Sequence, residues 1–326
     1  MASDNDERLR ELAGEVLARA GEVVIGKDDV IAEVFATLLA GGHVLLEDMP
    51  GVGKTTLALA FSRLIGLECT RLQLTPDVMP SDITGFSVYQ RDEAGQGSFT
   101  YQQGAVFCNL LLADEINRTS PKTQSALLEA MEERSVTVDG VTRPLPEPFF
   151  VIATQNPLGS AGTQALPLSQ LDRFMTSTSL GYPDFASEVE MARGTGLRRR
   201  TEGLEQVIDS AGLAAMQRAA EATFMHDEVL EYAVRLVAAT REYPLLAVGA
   251  SPRATLALVR MARAASWLAG EEFVSPAVVE RQFPCVVRHR VALHGEARLD
   301  GTRVEDVLGD IVASVARPRL ARGSRR

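Results

Sequence analysis

The sequence is poor in lysine, cysteine, histidine and aromatic residues, and it contains no long apolar run. No stretch approaches the ~18 uninterrupted apolar residues that a membrane-crossing helix requires, so no membrane insertion is expected. Three cysteines, Cys69, Cys108 and Cys285, lie far apart without Cys-x-x-Cys spacing. That pattern argues against a metal site or a disulfide and favours small buried hydrophobes. His289 and His294 fall five apart, on different faces of a helix, and give no metal site. Basic charge is outweighed by acidic charge. The net charge of −10 argues against a general nucleic-acid binder, because phosphate contacts need a basic face. The opening segment is polar and acidic, without the apolar stretch of a secretory signal, and a cytoplasmic location is expected. One basic cluster stands at the end, Arg317 to Arg326, and reads as a solvated, disordered tail from about 317.

What is present fits an ordinary soluble chain of about two domains. Leu9, Leu12, Ala13, Val16, Leu17 and Ala20 mark an opening amphipathic helix. A second helix follows from about Asp28 to Ala40, stopped by Gly41-Gly42. His43 to Glu47 then reads as a buried strand that runs into a glycine-rich loop. Behind the loop, Leu57, Ala60, Phe61 and Leu64 form a helical apolar face. Further strands are expected at 70–74, 108–113, 149–154 and 175–180, with helices between several of them. One of these helices opens at Ser120-Pro121, an N-cap residue followed by proline at the first helical position. Strands alternating with helices imply a parallel sheet covered on its faces. Residues 85–102 and 135–142 read instead as hairpins inserted into that core, the second through its Asp-Gly turn. After Gly181 the chain reads helical. An α/β nucleotide-binding core over 1–181 and a smaller helical lid over 182–326 are therefore expected.

The chemistry concentrates at strand ends. Pro50-Gly51-Val52-Gly53-Lys54-Thr55-Thr56 between a strand and a helix is a phosphate loop. Its backbone N–H groups and helix N-terminus bind phosphate oxygens, Lys54 reaches the β- and γ-phosphates, and the Thr55 hydroxyl binds Mg²⁺. Only three lysines stand against thirty arginines, which makes a chance lysine at this position less probable. The strict pattern has glycine where Asp48 stands. The apolar strand ending in Asp114-Glu115 supplies a carboxylate that holds the metal through water and a second that orients and deprotonates the attacking water. Asn156 ends another buried strand at the same sheet edge, within reach of the γ-phosphate. Arg173, in Leu-Asp-Arg-Phe, and Arg253, in Ser-Pro-Arg-Ala, are candidates for neutralising transition-state charge; spacing alone leaves each equally compatible with a surface ion pair.

Together these segments resemble the MoxR family within the AAA+ superfamily. The signature runs in the family's order over about residues 20–260. It comprises Gly-Gly-His-Val-Leu-Leu-Glu-Asp-Met-Pro-Gly-Val-Gly-Lys-Thr, Leu-Leu-Ala-Asp-Glu-Ile-Asn-Arg, Ala-Thr-Gln-Asn-Pro, Leu-Asp-Arg-Phe and Gly-Ala-Ser-Pro-Arg-Ala. The resemblance implies ATP and Mg²⁺ as cofactors, with Asn156 as sensor 1, Arg253 as sensor 2 and Arg173 as an arginine finger supplied by a neighbouring subunit. It implies that Val24-Ile25-Gly26 lines the adenine pocket and that the two hairpins are the clade's insertions. It further implies a homo-oligomeric ring, commonly a hexamer, acting as a chaperone-like remodelling or metal-insertion factor on a protein partner, often one with a von Willebrand A domain. Whether Arg253 acts in its own subunit or across the interface stays open. A nucleic-acid-dependent motor and a nucleotide-switched scaffold are the competing functions.

Overall fold

Five short strands form the centre of the fold. The computed structural model describes residues 2–49, 51–91, 96–156, 164–192 and 201–318. Strands β1 (Val44–Glu47), β2 (Cys69–Gln73), β5 (Leu110–Asp114), β8 (Phe150–Gln155) and β9 (Thr176–Thr178) form one sheet in the order β2-β5-β8-β1-β9. Every pairing in it is parallel. Because successive side chains point to opposite faces, Leu110, Leu112, Phe150 and Ile152 join one apolar cluster while Leu111, Ala113, Val151 and Ala153 join the other. Burial on both faces explains why β5 and β8 read as continuous apolar runs rather than alternating ones.

Helices α1 (Ala2–Gly21), α2 (Asp28–Leu39) and α3 (Lys54–Leu64) cover the first face. The opening stripe buries Ala13, Val16 and Ala20, and Leu9, Leu12 and Leu17 pack at its margins. On the second face, α4 (Pro80–Thr84) and α5 (Pro121–Glu133) contribute Ile83, Leu127, Leu128 and Met131. Helix α5 is capped as its sequence requires: Ser120 Oγ accepts from the Thr123 amide, with proline following at N1.

Both inserted hairpins are present. Strands β3 (Gly85–Arg91) and β4 (Gly97–Gln103) pair antiparallel, as do β6 (Ser135–Val138) and β7 (Val141–Pro144). Asp139 and Gly140 both take positive φ at the second turn, 53° and 73°, the geometry that matches strand twist in a two-residue hairpin. Phe86, Tyr89 and Phe99 on the first hairpin stay exposed, and the Tyr89 and Phe99 rings meet at 5.3 Å.

In the chain, α6 (Leu168–Leu171) precedes β9, and α7 (Phe185–Ala192), α8 (Ser210–Glu221), α9 (Asp227–Glu242), α10 (Pro252–Leu268), α11 (Pro276–Val287), α12 (Gly295–Leu299) and α13 (Val304–Ser314) follow it. Ser251 and Ser275 repeat the serine-proline cap at α10 and α11. A small antiparallel ladder, β10 (Leu246–Val248) with β11 (Ala292–Leu293), interrupts the helices and was not foreseen from sequence. The apolar cluster on the first sheet face runs without a break into α8, α9, α10 and α11. Arg317, at the start of the basic cluster, lies within the described residues. Its guanidinium pairs with Glu280, whose carboxylate also accepts the Tyr232 hydroxyl at 2.7 Å. Residues 319–326 lie outside the described part.

Candidate nucleotide-binding and hydrolysis site

In a parallel sheet the carboxyl ends of all strands reach one edge, so β1, β5 and β8 deliver their terminal loops to a common place. The loop after β1 contains Gly51 at φ 88° and Gly53 at φ 102°, conformations that side chains with a Cβ rarely adopt. Gly53 is also the N-cap of α3, whose first residue is Lys54. The Lys54 ammonium donates to the Asp48 and Met49 carbonyls at 2.9 and 3.3 Å, which holds it over its own loop. Partial burial pulls its pKa down, and the carboxylates of Asp48, Asp114 and Glu115 oppose that shift. Pro50 lies outside the described residues.

Asp48, the departure from the glycine pattern, has a defined task. Its side chain is buried, and Oδ1 accepts from the Ser179 hydroxyl at 2.6 Å and the Gly181 amide at 2.9 Å. Oδ2 accepts from the Leu180 amide at 2.6 Å. The phosphate loop is thereby pinned to the chain leaving β9.

Asp114 closes β5 and is buried. Its Oδ1 accepts from the Thr154 hydroxyl at 2.7 Å, and its Oδ2 contacts the Arg71 guanidinium at 2.7 Å. Glu115 is the next residue and takes φ 57°, ψ 53°, a left-handed conformation costly for a residue with a Cβ. The Glu115 amide donates to Thr154 Oγ1 at 2.9 Å, so one hydroxyl on β8 fixes both acids. The Glu115 carboxylate accepts from Gln73 at 3.0 Å and pairs with Arg118 at 2.7 Å. Asn156 follows β8 directly, its carbonyl accepting from Asn117 at 3.3 Å.

A cavity of about 400 Å³ brings together Gly51, Gly53, Lys54, Thr55, Thr56, Asp114 and Glu115, with Arg71 and Gln73 in its wall. A second, of about 280 Å³, adjoins it through Gly51, Gly53 and Thr56 and is lined by Val23, Val24, Ile25, Val52 and Tyr182. The pair has the shape a nucleotide needs, a polar chamber beside a more apolar one. Gly26 sits next to the second chamber at φ 71°, and a Cβ there would strike the Ser187 hydroxyl at 2.5 Å. The hydroxyl of Thr55 and the carboxylate of Asp114 are hard oxygen donors. Mg²⁺ is characteristically held by one or two such groups plus substrate phosphates, so this donor set fits it.

Arg173 and Arg253 come together elsewhere. Arg173 donates to the Leu128 carbonyl at 2.6 Å and pairs with Glu132 at 3.2 Å, and Arg253 pairs with the other oxygen of the same carboxylate. Neither lines either chamber at Lys54; both line a separate cavity of about 270 Å³. Asp172 anchors this region, accepting from Ser251 at 2.8 Å and from the buried Arg290 at 2.8 Å.

Sequence reasoning missed Arg71, Gln73, Thr154, Arg118 and Tyr182. The available signal was the two-residue spacing of Arg71 and Gln73, which puts two polar side chains on one face of a strand.

Residues 43–176 match the ATPase family associated with various cellular activities (AAA), and residues 238–311 match the AAA lid domain. The chain is 44% identical over 312 residues to the uncharacterised protein YeaC of Bacillus subtilis, covering 96% of this chain and 97% of that one. It is 38% identical over 307 residues to chaperone MoxR1 of Mycobacterium tuberculosis, covering 91% and 80%. A crystal structure from Cytophaga hutchinsonii, of a protein provisionally named an ATPase, superposes with a TM-score of 0.90 at 33% identity over 98% of each chain.

Proposed function

The chain belongs to the MoxR family of AAA ATPases and hydrolyses ATP; from that premise we propose that it works as one subunit of a homo-oligomeric ring, a hexamer, that remodels a protein client. The observation that carries the ring is the position of Arg173 and Arg253. Both sit on Glu132, away from the chamber that holds Lys54 in the same chain. In this reading a second copy set against this face receives both arginines at its own nucleotide, and both act across the interface. Charge that builds on the transferring phosphoryl group is neutralised there, an effect worth on the order of 10³–10⁵ in rate for an arginine finger.

Within the chain, the backbone of Gly51 to Gly53 and the N-terminus of α3 bind the phosphates, and Val24, Ile25 and Gly26 border the base. Lys54 turns from the loop carbonyls to the terminal phosphates. Thr55 and, through water, Asp114 would hold Mg²⁺, which would screen phosphate charge. Glu115 orients a water and takes its proton, and Asn156 fixes the same water from the neighbouring strand. The exposed aromatic rings of the β3–β4 hairpin support contact with a client. The chaperone name of the mycobacterial relative supports the same reading. The client class we assign is a protein with a von Willebrand A domain, assembled or loaded with metal in the cytoplasm.

ATP turnover per subunit, measured across a wide range of protein concentration, tests the ring. Specific activity is expected to rise with concentration, and a monomer of full activity would refute the shared site. Glu115→Gln is expected to abolish turnover while nucleotide binding persists.

A further inference from the structure

Asp114 is reached from the neighbouring strand by a residue outside the nucleotide-site motifs. Gln73 on β2 is the register partner of Asp114 on β5, and Arg71 stands two residues earlier. Strand alternation puts both side chains on one face. From that face Gln73 bonds Glu115 at 3.0 Å, and Arg71 contacts Asp114 Oδ2 at 2.7 Å. Thr154 takes the other oxygen at 2.7 Å. Protein groups thus engage both oxygens of the carboxylate. Arg71 shares one cavity with Lys54 and Thr55, so its charge acts inside the site rather than on the outer surface.

We propose that Arg71 is an internal counter-ion of the metal site, competing with the divalent cation for Asp114 Oδ2 and thereby setting how much magnesium nucleotide binding requires. This rests on the reading of Asp114 as the metal-facing carboxylate. Asp114 and Glu115 place two adjacent negative charges in a recess, and Lys54 is held on carbonyls rather than on either of them. Among the described residues, Arg71 is the cation that pairs with Asp114. The Asp114 side chain is 12% exposed but that of Arg71 is 53% exposed, which frees the arginine to swing away at small cost. A divalent cation would bring the larger charge to the shared oxygen through its water shell, and the released guanidinium would stay in the cavity with Lys54 and Thr55.

The test is equilibrium binding of a fluorescent ADP analogue to the full chain as a function of free Mg²⁺. Arg71→Gln is expected to lower the magnesium concentration for half-maximal binding by about fivefold, the scale of a partly exposed ion pair. Arg71→Lys keeps the charge and is expected to stay near the wild type. An unchanged or raised magnesium requirement in Arg71→Gln overturns the proposal. Loss of binding at every magnesium concentration from a variant with native circular dichroism also overturns it, since Arg71 would then be a phosphate ligand. Lys54→Ala, run alongside, separates the two levels of inference. Wild-type binding by Lys54→Ala would sink the phosphate-loop reading itself; loss of binding there, with a magnesium-indifferent Arg71→Gln, would sink only the role of Arg71.

Discussion

Replacing Asp48 with glycine would bring the phosphate loop into line with the strict motif, and the geometry says that the protein would be harmed by it. The carboxylate accepts the Leu180 amide at 2.6 Å, the Gly181 amide at 2.9 Å and the Ser179 hydroxyl at 2.6 Å. Hydrogen bonds to a charged group contribute roughly 1.5–3 kcal/mol each, but the three losses are unequal. Ser179 is exposed and can turn to water, whereas Leu180 is buried and its amide would lose its acceptor. Losing the buried acceptor costs about 1–3 kcal/mol, Gly181 adds a smaller amount, and glycine itself costs about 0.5–1 kcal/mol in backbone entropy. Relief of carboxylate burial offsets part of this. The expected net loss is about 3 kcal/mol, a large fraction of the ~5–15 kcal/mol typical of a folded domain. The assay is chemical denaturation of the full chain, read as the midpoint, with nucleotide affinity measured in parallel. Asp48→Asn keeps one acceptor and is expected to lose about half as much. A glycine variant with an unchanged midpoint and equal or tighter nucleotide binding would refute the reasoning.

Burial raises the Glu33 carboxyl to about 7, with weaker lowering from Thr178 and Arg288, so the folded state holds a proton that the unfolded chain gives up near 4.5. Its stabilising contribution is present below pH 4.5 and is lost as pH rises toward 7. His43, buried and lowered to about 4, acts in the opposite sense, its contribution present above pH 6.5 and lost as pH falls toward 4. The two offset each other in the wild type, and Glu33→Gln is expected to uncover stability that rises with pH from 4 to 6.5; an unaltered profile in denaturation midpoints would reject this account. Arg290, 3% exposed in its side chain, bridges Asp172 to the Met175 carbonyl at 2.9 Å. Arg290→Met leaves Asp172 uncompensated and is expected to cost about 3–5 kcal/mol, whereas a loss below about 1 kcal/mol would show that the anchor is dispensable.

The parts of this protein that follow from local rules were determined by the sequence alone. Glycines at positive φ, serine-proline caps, the Asp-Gly turn and apolar strands ending in acids each depend on neighbours within a few residues. Lys54, Thr55, Asp114 and Glu115 were therefore legible before any fold existed, and they meet in one cavity. The parallel sheet edge followed from the alternation of strands and helices. Tertiary structure decided whatever depends on which strand lies beside which. Arg71 reaches Asp114 only because β2 pairs with β5, and Thr154 fixes both acids only because β8 is the other neighbour. Asp48 was a departure from the strict motif without a visible task until Leu180 and Gly181, more than 130 residues on, were folded against it. Arg173 and Arg253 lie 80 positions apart, and only packing of α10 near α5 sets them on one carboxylate. Side-chain partners at such separations are chosen by the summed burial of whole elements, and no short stretch of sequence encodes that sum.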